Sequence, residues 1–334
     1  MFQKLRKSKK LLLVAMACAT FAIAGCGSDT TKNAADNGKS VTWSETFDGT
    51  KTDFAVKSSP THAVSMSQAT TEMMLQLGLE DKMAGTAFKE EEIYPPLQAA
   101  YDKVKVLSDK WPSYEVFMSV KPDFATGWPD SFSKRAIPAD KMIAQKVNIW
   151  LPESMLSTKA DLETNFNDMI KLGEIFGVKS KAEEWVAGQR KTLEAIQAKL
   201  KDLPRKRVFI YDSEDGQPFT AFEGYTTNIL KLIGADNVMS GLGVDKTWAK
   251  GSWETVIAQN PDYIIIADYG TSIRNDDDFQ QKIEKIKSNP QLQDITAVKE
   301  GHFIRVKLSE ITPGVRTVDA LKRLAEEIHG VKID

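Results

Sequence analysis

The stretch DLETNFNDMIKLGEIFGVKSKAEEWVAGQRKTLEAIQAKLKDLP, residues 161–204, decides the fold. Leu162, Phe166, Ile170, Gly173 and Phe176 recur at helical spacing, and Gly177 stands where a helix stop belongs. A second helix is predicted over 181–203, with Trp185, Leu193, Ile196 and Leu200 on its apolar line and Gln189 interrupting it. Pro204 and the basic run Arg205-Lys206-Arg207 close it. Roughly 40 residues pass with almost no strand signal, which is long for one α/β crossover. At about 1.5 Å per residue the second helix alone spans roughly 30 Å, the width of a domain.

Outward from this stretch, short strands alternate with helices on both sides. Before it, strands are predicted at 62–66, 82–87, 124–126 and 147–151, with helices at 69–77, 114–120 and 138–145. After it, strands fall at 207–211, 218–222, 263–267 and 302–306, and helices at 225–233, 252–259, 276–287 and 313–328. Such alternation predicts parallel sheets. The fold class is therefore α/β: two Rossmann-like lobes joined by one long rigid interlobe helix. The chain divides into a signal segment (1–25), a tether and N-terminal segment (26–57) with a short hairpin over 41–57, an N-terminal lobe (58–156), a helical segment (157–203) and a C-terminal lobe (204–334). There is also an internal echo. Ser113-Tyr114-Glu115-Val116 followed by Lys121-Pro122-Asp123-Phe124 parallels Ser252-Trp253-Glu254-Thr255-Val256 followed by Asn260-Pro261-Asp262-Tyr263. Both read as cap, short helix, Pro-Asp turn and buried strand, as expected if the lobes share a fold.

Composition narrows the function. The 334 residues carry a formal net charge of −2, so no long-range field favours nucleic acid. Two cysteines and three histidines leave no disulfide framework, no thiolate zinc site and no metal-ligand spacing. Neither a phosphate-binding Gly-rich loop nor a nucleophile elbow occurs, which leaves an extracytoplasmic enzyme using acids such as Glu310 and Asp268 as a remote alternative.

The N-terminus places the protein. Lys4, Arg6, Lys7, Lys9 and Lys10 precede the uncharged run 11–25, too short to span a bilayer comfortably and suited to an export signal. The run ends in Ile23-Ala24-Gly25-Cys26, which resembles the lipobox of bacterial lipoproteins. That resemblance implies cleavage before Cys26 and acylation of its thiol, with Cys18 discarded. Residues 27–40, small and polar, read as a flexible tether. An ordinary cleaved signal with an incidental cysteine, or a signal anchor, is the alternative.

From about Pro60 to His329 the chain resembles the helical-backbone (class III) periplasmic substrate-binding lipoproteins of ABC importers, of the ferric-siderophore, haem and cobalamin type. The carriers are the two echoed units, the long helix, Glu223-Gly224 before a helix, Gly234-Ala235-Asp236-Asn237-Val238, Asn289-Pro290 ahead of Ala297-Val298-Lys299, and Pro313-Gly314-Val315-Arg316. The resemblance implies a ligand held between the lobes, small closure, and delivery to a permease dimer driven by a cytoplasmic ATPase. It implies a lipid-anchored protein on the extracytoplasmic face, with no cofactor of its own. The cargo it implies is an iron complex, a ferric siderophore; the alternatives are a corrinoid such as cobalamin, or haem. It also implies one surface acid per lobe for arginines of the permease to clasp, and Glu115 and Glu254 occupy those places. Their place in the first helical turn is equally what the helix dipole favours.

Ligand sites in α/β lobes lie at the carboxyl ends of strands. That rule selects Phe88, Lys110, Trp111, Trp128, Tyr225, Trp248, Tyr269 and Arg316 as ligand-binding candidates. Tryptophans offer large flat area to a chelate at low entropy cost. In the resembling family the loop at Trp248 often supplies an aromatic. Lys110 and Arg316 would meet an anionic ligand, Arg316 by a bidentate fork. A tyrosine, Tyr225 or Tyr269, has the donor chemistry to ligate haem iron. Trp185 and Trp253 lie within predicted helices and read as structural.

Overall fold

The computed structural model describes residues 40–269 and 278–333. The expected export signal, Cys26, the expected tether to residue 39 and residues 270–277 lie outside the described residues. The described chain opens with an antiparallel hairpin, β1 (Val41–Phe47) and β2 (Thr50–Val56). Its turn is Asp48-Gly49, both at positive φ (46° and 78°), the primed geometry that matches strand twist.

The N-terminal lobe holds β3 (Ala63–Ser65), β4 (Met83–Ala87), β5 (Val106–Ser108), β6 (Phe124–Thr126) and β7 (Asn148–Trp150), all parallel, in the order β5-β4-β3-β6-β7. The C-terminal lobe holds β8 (Lys206–Tyr211), β9 (Ser213–Asp215), β10 (Gln217–Ala221), β11 (Ala235–Asn237), β12 (Trp248–Lys250), β13 (Tyr263–Asp268) and β14 (Phe303–Lys307). Its parallel sheet runs β11-β8-β13-β14. With β5 set aside, both sheets run second, first, third, fourth in chain order, so the lobes share a topology. The C-terminal lobe adds a small antiparallel sheet, β12-β10-β9.

The echoed units form matching structures. Ser113 Oγ accepts from Val116 N (3.3 Å), and Ser252 Oγ accepts from Thr255 N (3.1 Å), capping helices Tyr114–Ser119 and Trp253–Gln259. The Pro-Asp turns then tie the third strand of each sheet to the first. Asp123 accepts from Thr61 N and His62 N, and Asp262 accepts from Arg207 N. The backbone of each Asp donates back, to His62 O and Arg207 O respectively.

Helices Leu162–Ile175 and Lys179–Leu200 occupy the decisive stretch. Asp161 and Thr164 form a reciprocal capping pair at the start of the first. Gly177, at φ +70°, makes the turn between them. At Gly173 the two helices come so close that an added Cβ would lie 2.7 Å from Ala182 Cβ. Phe166 and Trp185 then pack edge to face at 6.0 Å. The 22-residue helix, roughly 33 Å long, reaches both lobes. Lys181 Nζ donates to Leu77 O at 3.2 Å, and Gln197 Nε2 to Leu232 O at 3.3 Å. One hydrophobic core runs beneath both sheets and includes Phe124, Phe166, Val186, Ile196, Ile210, Ile265 and Leu321. The outer face of each sheet has a core of its own.

Two of the differences from the sequence reading bear on candidate site residues. The last helix is Thr317–His329, not 313–328, because Pro313-Gly314 follows a separate short helix, Leu308–Ile311, and a loop leads into the long one. Trp248, expected in a loop, starts β12 and pairs with Ala221. Trp253 is buried, as its helical position predicts.

Two buried carboxyls staple the hairpin and the first long helix to the N-terminal lobe. Glu45 accepts from Leu151 N (2.9 Å), and Trp43 Nε1 donates to Ile149 O (2.7 Å). Asp168 accepts from Glu153 N, Ser154 N and Ser154 Oγ. Burial pushes Glu45 up to about 7 and Asp168 up to about 6, against their hydrogen bonds. A carboxyl whose pKa is raised on folding binds more protons in the fold than in the unfolded chain. Its contribution is then full below the unfolded value, near 4, and is lost as pH rises through the folded one. The carboxyls held below their usual range, Glu92 by its bond to Lys307 and Asp236 by its bond to Arg205, act the other way, but only in acid. The melting temperature is therefore expected to be higher near about pH 5 than near about pH 8, and Glu45→Gln should flatten that slope. A melting temperature that rose from pH 5 to pH 8 would contradict this account.

Candidate functional site

The carboxyl ends of β3, β4, β6, β8, β13 and β14 converge on one cleft between the lobes. A cavity of about 340 Å³ opens there, lined from the N-terminal lobe by Phe88, Glu90, Trp111, Trp128 and Asp130. The C-terminal lobe supplies Asp212, Phe219, Trp248, Tyr269, Leu308 and Thr312. A small extension of about 20 Å³ shares Glu90, Trp128 and Tyr269 and continues to Gln68 and Glu91.

The aromatic walls are held in place by specific bonds. Phe88 lies flat on Trp111, ring centroids 4.5 Å apart and planes 11° apart. Trp111 Nε1 donates to Met66 O (3.1 Å), at the end of β3. Phe88 has φ +59°, a costly backbone for a bulky residue, found here at the β4 terminus where it turns the ring into the cleft. Trp128 Nε1 donates to Glu90 Oε2 at 3.0 Å. Burial pushes the Glu90 carboxyl up to about 7, with Glu91 and Glu72 adding to the rise and the Trp128 bond opposing it. On the facing lobe Trp248 stacks on Phe219 at 6.3 Å and 17°. Strand pairing between β10 and β12 sets that stack, since Phe219 pairs with Lys250 and Ala221 with Trp248.

Tyr269 closes the C-terminal side. Its hydroxyl donates to Asp212 Oδ1 at 2.5 Å, and Ser213 Oγ donates to Asp212 Oδ2 at 2.8 Å. Burial first, and the Asp212 carboxylate second, push the Tyr269 hydroxyl far above its usual pKa, so it keeps its proton. Lys282 Nζ lies 4.9 Å from the ring centre and is paired with buried Asp278 at 2.7 Å.

Of the eight ligand-binding candidates, the structure brings Phe88, Trp111, Trp128, Trp248 and Tyr269 together around this cavity. Three stand elsewhere. Tyr225 is in the core, its hydroxyl 2.7 Å from Thr317 Oγ1, because the residue after Gly224 begins a helix that packs inward. Arg316 is buried in an ion cluster. Its Nε donates to Glu72 Oε2 (2.8 Å), an Nη donates to the other Glu72 oxygen, and a further bond reaches Glu92 O (2.7 Å). Glu91 stands 3.4 Å away. The fork recognises carboxylates as expected, but they are the protein's own. Lys110 is exposed and does not line the cavity. Sequence reasoning missed Glu90, Asp130, Asp212 and Phe219. Asp212 directly follows β8, so the strand-end rule could have found it. Glu115 and Glu254 are both exposed, each the second residue of its capped helix. Hydrogen bonds at that helix start hold the Glu115 carboxyl below the usual range.

Among the described residues, no group of three or more His, Cys, Asp or Glu is placed to hold a bare metal ion, and no helix is long and apolar enough to cross a membrane. Two parallel α/β lobes, a shared core along one long helix and an aromatic cleft between them define a class III solute-binding protein. Residues 64–308 match the family described as periplasmic binding protein, and the chain belongs to it, among the substrate-binding proteins of ABC importers. The crystal structure of a periplasmic binding protein from Veillonella parvula DSM 2008 is 95% identical, covers 89% of this chain and 100% of its own, and superposes with a TM-score of 0.87. An uncharacterized ABC transporter substrate-binding lipoprotein, YvrC of Bacillus subtilis (strain 168), is 26% identical over 97% of this chain and 98% of its own. The vitamin B12-binding protein of Vibrio vulnificus is 23% identical, covering 80% of this chain and 90% of its own.

Proposed function

We propose that this protein captures a metal already wrapped in an organic chelator, a ferric siderophore, and hands it to a membrane permease. The aromatic cleft carries the reading: stacked pairs on opposite lobes, Phe88/Trp111 and Trp248/Phe219, offer flat apolar faces to a bulky chelate. A bare ion would need a ligand cluster, which the described residues do not form. A corrinoid is the second reading, favoured by the similarity to the vitamin B12-binding protein of Vibrio vulnificus. Haem fits less well, since Tyr269 keeps its proton on Asp212 and Tyr225 is in the core. In this reading Cys26 carries the lipid that keeps the protein beside its permease, which raises effective concentration. Glu115 and Glu254 are the permease contacts. An acyl mass on Cys26 in protein extracted from membranes would support the anchor; an unmodified Cys26 would remove it.

The test is ligand-induced stabilisation together with quenching of tryptophan fluorescence. A chelate at about 100 times its Kd should add about 2.7 kcal/mol of stability. Trp248→Ala should weaken that binding by about tenfold or more, roughly 1.4 kcal/mol, with the fold intact. If no ferric siderophore and no corrinoid moves the melting curve, the binding reading fails. If Trp248→Ala binds as well as wild type, Trp248 is outside the site.

A further inference from the structure

The charge of the cleft goes one step beyond its shape. We infer that the site selects chelates that are uncharged or positively charged, and that Asp212 anchors a cationic group of the ligand; this rests on the reading of the cleft as a chelate site. Asp212 lies at the carboxyl end of β8, is buried, and lines the cavity. Its carboxylate accepts from two neutral hydroxyls, Tyr269 on one oxygen and Ser213 on the other. Each carboxylate oxygen has a second lone pair, so the group can still accept from a ligand ammonium. A buried carboxylate with neutral partners alone is costly, and a cation brought by the ligand offsets that cost.

Three cations on neighbouring elements among the described residues are engaged elsewhere. Among the described lining residues there is no Lys or Arg. Arg316, the fork predicted for an anionic ligand, is taken up by Glu72 and Glu91. Lys282 is paired with Asp278 and donates to Ala267 O. Arg135 holds Asp130 at 2.5 Å on the rim. The rest of the wall is aromatic, and aromatic faces attract cations. A polyanionic chelate would enter a site that offers it acids and π faces.

The experiment titrates the purified full chain with three ferric chelates of different charge, followed by tryptophan quenching at low and high salt. Ferrioxamine B carries a free ammonium, ferrichrome is uncharged, and ferric enterobactin is a trianion. Ferrioxamine B is expected to bind about tenfold tighter than ferrichrome, roughly 1.4 kcal/mol. The difference should largely persist at high salt, since a buried pair is screened far less than an exposed one, and ferric enterobactin should not bind. Asp212→Asn should erase the ferrioxamine preference, bringing ferrioxamine B affinity down to about that of ferrichrome, while circular dichroism of the unliganded variant reports an intact fold. Tyr269→Phe, which keeps the ring and the acid, should retain the preference. Tight binding of ferric enterobactin, or a ratio that Asp212→Asn leaves unchanged, overturns the charge inference while the chelate reading stands. Failure of all three, and of cyanocobalamin, overturns the chelate reading and the charge inference with it. If the Asp212 variant does not fold, the wild-type ranking and its salt dependence decide alone.

Discussion

Arg316→Ala is expected to lower the free energy of unfolding by roughly 3–5 kcal/mol, because it strands two buried carboxyls. Arg316 belongs to the C-terminal lobe, while Glu72 and Glu91 belong to the N-terminal lobe, and all three side chains are under 10% exposed. Glu72 is further held by Gln68 Nε2 and Tyr94 N, both at 3.0 Å. Tyr94 in turn donates to Asp319, and Lys307 meets Glu92 at 2.9 Å, so a band of polar contacts joins the lobes beside the shared core. For a chain of this size a loss of that order moves the melting temperature by on the order of 10 °C. Removing both charges, as in Arg316→Met with Glu72→Met, should recover part of the loss, since a paired deletion leaves fewer orphaned charges than a single one. A thermal or urea unfolding curve measures it. A loss below about 1 kcal/mol for Arg316→Ala would mean the cluster behaves like a surface ion pair.

The double substitution Glu115→Ala with Glu254→Ala is expected to abolish uptake of the chelate in cells while ligand affinity and melting temperature stay at wild-type values. Both carboxylates are solvent-exposed on equivalent helices of two lobes of like topology. Neither lines the cleft. Both are exposed first-turn acids outside the packed core, so their loss should disturb the fold only slightly. Transport of labelled chelate in a strain lacking the native gene reads the result, with each single variant between wild type and the pair. Normal uptake by the double variant would leave both acids as first-turn residues that favour the helix dipole and nothing more.

Most of the framework was legible because it is written in periodicity. The spacing of Leu162, Phe166 and Ile170, and later of Ile196 and Leu200, places apolar residues on faces that the fold buries. The run Tyr263-Ile264-Ile265-Ile266-Ala267 reads as a strand covered on both faces, and β13 is one. The echoed Ser-x-Glu and Pro-Asp units reappear as matching caps and turns. The site was legible in part. Residues that follow a strand directly, such as Phe88 and Trp128, are placed by the strand itself. Arg316 and Tyr225 were misplaced because their surroundings come from distant chain. The carboxylates that hold Arg316 lie more than 200 residues away, a pairing that no local pattern encodes. Asp212 was missed because an acid after a strand looks like any turn residue until Tyr269 is brought to it, 57 residues on.

The small sheet β12-β10-β9 has no counterpart within the N-terminal lobe, whose own additions are the edge strand β5 and the hairpin β1-β2 stapled to it. If the lobes descend from one duplicated ancestor, this sheet is a later graft. It carries Phe219 and Trp248, one of the two stacked walls of the cleft. Selection could therefore rewrite what the protein recognises by remodelling the graft, without disturbing the four-strand order common to both lobes. Divergence in cargo among relatives of this chain would then concentrate between residues 213 and 250, and a chimera exchanging that segment would carry its donor's ligand preference with it.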